Sequence, residues 1–97
     1  MQAILITFDQ AHYHKIIDML ERNNCRGFTA WPLVNGRGSH TGEPHLGTHA
    51  WPSLASAIIT MVEDERAPRI MQLLKALDDE SPRLGLRAFR WPVAETI

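Results

Sequence analysis

Ala3-Ile4-Leu5-Ile6-Thr7-Phe8 and Ala57-Ile58-Ile59-Thr60-Met61-Val62 are apolar runs of strand length, rich in β-branched residues. The two runs lead into similar stretches of chain. An acidic residue suited to a helix N-cap comes next, Asp9 in the first half and Asp64 in the second. Then come residues at helical spacing: Tyr13, Ile16, Ile17 and Leu20 in one half, Ile70, Leu73, Leu74 and Leu77 in the other. Pro68 falls close enough to the start of the second helix to be tolerated in its first turn. The helices run out into Asn23-Asn24 and Asp78-Asp79-Glu80-Ser81-Pro82. Each half closes on a further strand ending in Trp-Pro, residues 27–32 and 87–92. Proline cannot donate to a ladder, so each pair predicts a strand end or a sheet edge. The order is βαβ twice. With right-handed crossovers this predicts an α+β, ferredoxin-like βαββαβ fold, a four-stranded antiparallel sheet with two helices on one face.

Composition fits that domain and excludes several function classes. The 97 residues are 44% hydrophobic and 22% charged, ordinary for a globular chain. A domain of this size buries roughly 60–65% of its unfolded surface, enough for one sheet-and-helix core and little more. A net charge of −1 provides no field for nucleic acid, and no RNP-type aromatic motif is present. No apolar run approaches the roughly 20 residues of a membrane span, so direct membrane insertion is not expected. Residues 1–8 lack the basic flank and cleavage site of a signal peptide, and a cytoplasmic protein is expected. The single cysteine, Cys25, excludes an internal disulfide and a multi-cysteine zinc site; Arg26 beside it is placed to lower its pKa.

The first strand is apolar on both faces, with Ile4, Ile6 and Phe8 on one and Ala3, Leu5 and Thr7 on the other. Two helices cover one face. Phe28, Trp31, Ile58, Phe89 and Trp91 add bulk that two helices do not cover, and association through the open sheet face is the preferred inference. A monomer with a greasy sheet is the alternative.

Residues 35–56, between Val34 and Ala57, form a connection far longer than the strands require. The long loop itself is expected over about 35–53 within a single domain, 1–97. Four of the six glycines and three of the five histidines fall between Gly36 and His49. Binding groups are placed on such loops, and three chemistries are open. Asn35-Gly36-Arg37-Gly38-Ser39 can form a backbone nest for an anion, or simply a hinge. His40, Glu43, His45 and His49 are imidazole and carboxylate groups suited to a divalent transition metal, although their spacing matches no standard zinc motif. The loop can also order on a protein partner. Elsewhere His14 and Asp18, four apart on the first helix, are able to pair. Arg83, Arg87 and Arg90 surround the last strand; Arg87 and Arg90 fall on opposite faces by parity, so these arginines read as solvated surface charge and not as one anion site within a chain. No nucleophile or acid–base pair of an enzyme is visible.

Three stretches carry a family resemblance. Val34-Asn35-Gly36-Arg37-Gly38-Ser39 opens a long loop after strand two, Val62-Glu63-Asp64-Glu65 leads from strand three into helix two, and Arg87-Ala88-Phe89-Arg90-Trp91-Pro92-Val93 forms strand four. In these the chain resembles the PII-like signal-transduction proteins, relatives of the nitrogen regulatory protein P-II. The resemblance implies a ferredoxin-like homotrimer formed through the sheets, with nucleotides bound in clefts between subunits and a long loop that grips a target. It implies a non-enzymatic regulator whose effector is, in the family, an adenine nucleotide; Gly36, Arg37, Gly38, Ser39 and Arg87 are the residues expected to meet an anionic effector. PII-like branches are linked to membrane transporters, including metal-efflux and bicarbonate systems, so a transporter is the implied class of partner.

The family's TGxxGDGK-type run is replaced by Ser81-Pro82-Arg83-Leu84-Gly85-Leu86-Arg87. Leu84 and Leu86 stand at glycine positions, where close backbone approach to phosphate is lost; Arg87 occupies the lysine's slot as a fork. The uridylylated loop tyrosine has no counterpart, since the one tyrosine is Tyr13. An alternative function, similar in role to the trimeric divalent-cation tolerance proteins of this fold, is a metal-responsive protein using His40, Glu43, His45 and His49.

Overall fold

The computed structural model describes residues 1–37, 44–45 and 54–97. Strand β1 (Gln2–Asp9) leads through a 3-10 turn (Gln10–His12) into helix α1 (Tyr13–Arg22) and strand β2 (Phe28–Val34). Two short strands come next, β3 (Gly36–Arg37) and β4 (Pro44–His45), and then β5 (Ala55–Val62). Helix α2 (Ala67–Glu80), a second 3-10 turn (Pro82–Leu84) and β6 (Arg87–Pro92) complete the chain. The main sheet runs β2-β5-β1-β6 and is antiparallel throughout, the ferredoxin-like order, with β2 and β6 as edges. Both Trp-Pro pairs therefore lie on edge strands, where a missing N–H need cost no ladder bond.

Alternation on β1 sets the layers. Ile4, Ile6 and Phe8 are buried with Ile58 and Val62 of β5 against Ile16 and Leu20 of α1 and Ile70 and Leu74 of α2. Leu84 and Leu86 close this core beyond α2. Ser56 and Thr60, also buried, donate to main-chain carbonyls of the β2 segment, Ser56 Oγ to Pro32 O at 2.6 Å and Thr60 Oγ1 to Gly27 O at 2.8 Å. Each hydroxyl enters the core without leaving its donor unpaired.

The helix boundaries differ in detail from the sequence expectation. Asp9 caps the 3-10 turn, its carboxylate accepting from Ala11 N at 2.9 Å, and α1 itself starts four residues later. Asp64 caps nothing. It pairs with the Met1 ammonium at 2.6 Å, because the register Gln2↔Val62 brings the chain's first residue beside the turn after β5. Helix α2 then begins at Ala67 with Pro68 in its first turn and no side-chain cap. At the end of α1, Asn24 adopts a left-handed φ of 60°. Asn24 N donates to Glu21 O and Cys25 N to Leu20 O, the paired bonds of a Schellman ending, while Cys25 and Leu20 share the core. His14 lies edge-on to Tyr13, ring centres 5.5 Å apart; among the described residues the ion pairs are Met1–Asp64 and Lys75–Asp79, so His14 and Asp18 do not pair.

Candidate functional site

The root of the long connection is built into the edge of the sheet. The register of β2 against β5 shifts between Trp31 and Val34, and Ser56 reaches across to Pro32 at this irregularity. On the return side, Gln10 N donates to Leu54 O at 2.6 Å, tying the chain to the turn after β1. Between these anchors lies a ladder of Gly36 with His45 and Arg37 with Pro44. No periodicity over residues 35–48 announces it, because two-residue strands are too short to show one. Gly36 and Arg37 therefore stand at the root of the connection and His45 pairs opposite Gly36. Gly38, Ser39, His40, Glu43 and His49 lie outside the described residues.

Arg87 opens β6, paired with Thr7. Its Nη1 donates to Leu86 O at 2.9 Å. Beside it is a groove of about 200 Å³ along α2, lined also by Met71, Leu74, Lys75, Asp78 and Leu86. Lys75 and Asp78 carry no motif, and only the packing of α2 beside β6 shows that they border Arg87. The segment before Arg87 owes its form to three residues. Leu84 and Leu86 are buried, and Gly85 between them sits at a left-handed φ of 58°. Both leucines are thus core anchors, and Gly85 between them is where a side chain would be strained.

The antiparallel registers place Val34 and Arg87 at the same end of the sheet, since Val34 pairs with Ala55, Ala55 with Asp9, and Thr7 with Arg87. They are on opposite edges, however, three strand spacings or about 14 Å apart. Within one chain the backbone at Arg87 and the loop root are therefore held on opposite edges of the sheet. A second copy whose β6 edge approaches this β2 edge would bring the two together.

The open sheet face offers the surface for such an approach. Cross-strand pairs place Leu5, Ile59 and Phe89 in one row and Ala3, Met61 and Trp91 in the next, with Trp31 beside Ala57. Trp31 is 46%, Met61 46%, Phe89 55% and Trp91 42% exposed. Phe28 and Ile58 instead face the helices: Phe28 pairs with Thr60 and Ile58 with Ile6. Arg90 pairs with Ile4 and so has the parity opposite to Arg87, which pairs with Thr7.

The cation beside Cys25 is Arg66, not Arg26. Arg66 donates from Nη2 to Asn23 O and sits 3.9 Å from Cys25 Sγ. Burial nevertheless outweighs its pull and raises the thiol pKa, so Cys25 is a core thiol. Among the described residues no three His, Cys, Asp or Glu side chains gather around a common point, and no helix is long and apolar enough to cross a membrane.

Comparison with known proteins places this arrangement. CPII from Thiomonas intermedia K12, bound to ADP, AMP and acetate, superposes with a TM-score of 0.71 at 20% identity, covering 92% of this chain and 81% of that one. CPII bound to ADP, AMP and bicarbonate gives 0.69 at 23% identity over 93% and 82%. A DUF3240 family protein from Shewanella baltica OS155 gives 0.65 at 13% identity over 98% and 92%. No curated protein matches by sequence. The sequence profile of nitrogen regulatory protein P-II matches residues 1–97. A β2-β5-β1-β6 sheet with a long connection rooted at its edge, matched end to end by that profile, makes this chain a member of the nitrogen regulatory protein P-II family.

Proposed function

We propose that this chain is a non-enzymatic signalling protein that works as a homotrimer, sensing a small anionic effector in the clefts between subunits and regulating a partner protein through its long loop. The observation that carries the proposal is the separation of Arg87 from Gly36 and Arg37, same end of the sheet but opposite edges. Two chains meeting edge to edge would bring both to one site. The apolar open face supports the same assembly, and P-II proteins are trimeric regulators of partner proteins.

An adenine nucleotide is the effector class, since the structurally similar CPII is bound to ADP and AMP. Here Arg37 and Arg87 would meet its phosphates, with Gly36, Gly38 and Ser39 supplying backbone and hydroxyl donors. The buried Leu84 and Leu86 hold the Arg87 segment from below. Effector binding then regulates by population shift: swinging the loop from 1:99 to 99:1 requires about 5.5 kcal/mol of preference for the ordered state. A membrane transporter is the class of partner we assign, with the protein itself cytoplasmic.

Calorimetry with ADP, AMP and ATP tests the proposal. Saturable binding is expected, at least tenfold weaker in Arg87→Gln. Mixing Arg87→Gln with Arg37→Gln subunits should restore intact sites in the mixed trimers. No binding at millimolar nucleotide would overturn it.

A further inference from the structure

At the other end of the sheet from the loop root, α1 ends and α2 begins. Gln2 pairs with Val62 and Phe28 with Thr60, so the exit of α1 and the entry of α2 lie there together. Eight residues of β1 put this end roughly 25 Å from Arg87 and β3. Between the helix ends is a groove of about 310 Å³ lined by Arg22, Asn23, Asn24, Glu65, Arg66 and Arg69. Three arginines and one glutamate are among its lining residues, in a chain whose net charge is −1.

We propose that this groove binds a small phosphate-bearing anion, at a site separate from the clefts between subunits. Arg66 is already held in place: Nη2 donates to Asn23 O, Nη1 to Asn24 O at 3.5 Å, and Nη2 lies 3.9 Å from Cys25 Sγ. Of the five N–H donors of a guanidinium, these contacts use three and leave two. Arg22 and Arg69 are exposed and enter neither ion pair found among the described residues. Arg69 stands in the first turn of α2, a place where the helix dipole disfavours a cation and favours an anion. That turn holds no acidic residue and has no side-chain cap. A bound anion would offset both the mutual repulsion of the arginines and their unfavourable position. Arginine forks match the oxygens of a phosphate two at a time, which selects phosphate over halide, and the groove's volume suits a phosphate or diphosphate group.

Pyrophosphate is the probe, followed through the arginine Nε–Hε resonances of the 15N-labelled full chain at constant ionic strength. Saturable shifts are expected at Arg22, Arg66 and Arg69. The dissociation constant should rise at least tenfold in R22Q/R69Q, less in R22K/R69K, and stay unchanged in R87Q. Both positions are exposed, so the variants are expected to fold, and circular dichroism checks that they do. Shifts that never saturate, an unchanged constant in R22Q/R69Q, or loss of binding in R87Q would each overturn the proposal. The last outcome would assign the anion to the loop end instead, leaving the function proposed above untouched.

Discussion

Phe89 is the most direct lever on the proposed assembly. It sits mid-strand on edge β6, opposite Leu5, on the face the helices leave bare, and it is 55% exposed within the subunit. An aromatic side chain buries about 150–250 Å² when fully covered, so roughly 100 Å² of Phe89 is left uncovered in the single subunit. At ~25 cal/mol per Å² its burial would contribute about 2.5 kcal/mol per subunit, and three copies in the proposed trimer about 7.5 kcal/mol. Phe89→Ala should therefore shift dissociation from trimer to monomer by several powers of ten in the overall constant. Phe89→Asp should do more, because an unpaired carboxylate would enter the interface. Sedimentation equilibrium across nanomolar to micromolar protein measures this, with urea unfolding of the monomer as control. That control should move little, since the side chain is already half in water. A Phe89→Asp protein that keeps the wild-type mass throughout, or a wild type that is monomeric at micromolar concentration, would refute assembly through this face.

Leu84→Ala should destabilise the fold by about 2–5 kcal/mol, because a fully buried leucine leaves a cavity under the Arg87 segment; chemical denaturation reads the loss, and a change under 1 kcal/mol would mean that the segment is not core-anchored. The Met1 ammonium holds the Asp64 carboxyl below its ordinary range. A folded pKa below the unfolded one means the pair's contribution is present above the ordinary carboxylate range, near 3.8, and is lost as pH falls through the lower folded value. Asp64→Asn should therefore flatten the acid limb of the stability curve, and NMR titration of the Asp64 carboxyl should show the depressed midpoint.

Much of the fold can be read along the chain because its signals are local. The Ile16–Leu20 and Ile70–Leu74 spacings mark helices, and the alternation of Ile4, Ile6 and Phe8 marks a strand face, whatever lies elsewhere. The expected Asp64 cap is absent for a non-local reason: the register of β1 on β5 delivers an ammonium to that carboxylate. The surroundings of Cys25 depart from expectation for a similar one. Its sequence neighbour Arg26 is exposed, while Arg66, from the entry to α2, turns in to reach the thiol.

The candidate site divides along the same line. Gly36 and Arg37 stand out from glycine spacing, and Arg87 from the family resemblance alone, as residue types suited to an anion. The distance between them is set by sheet order, which arises from pairings between residues far apart in sequence. Only the β2-β5-β1-β6 arrangement shows that the loop root and Arg87 occupy opposite edges. The groove of Arg22, Arg66 and Arg69 has the same origin, since no periodicity joins residues of two different helices. Short-range spacing decides which elements form and which faces they bury. Long-range pairing decides which charged groups become neighbours and whether one chain suffices to build a site.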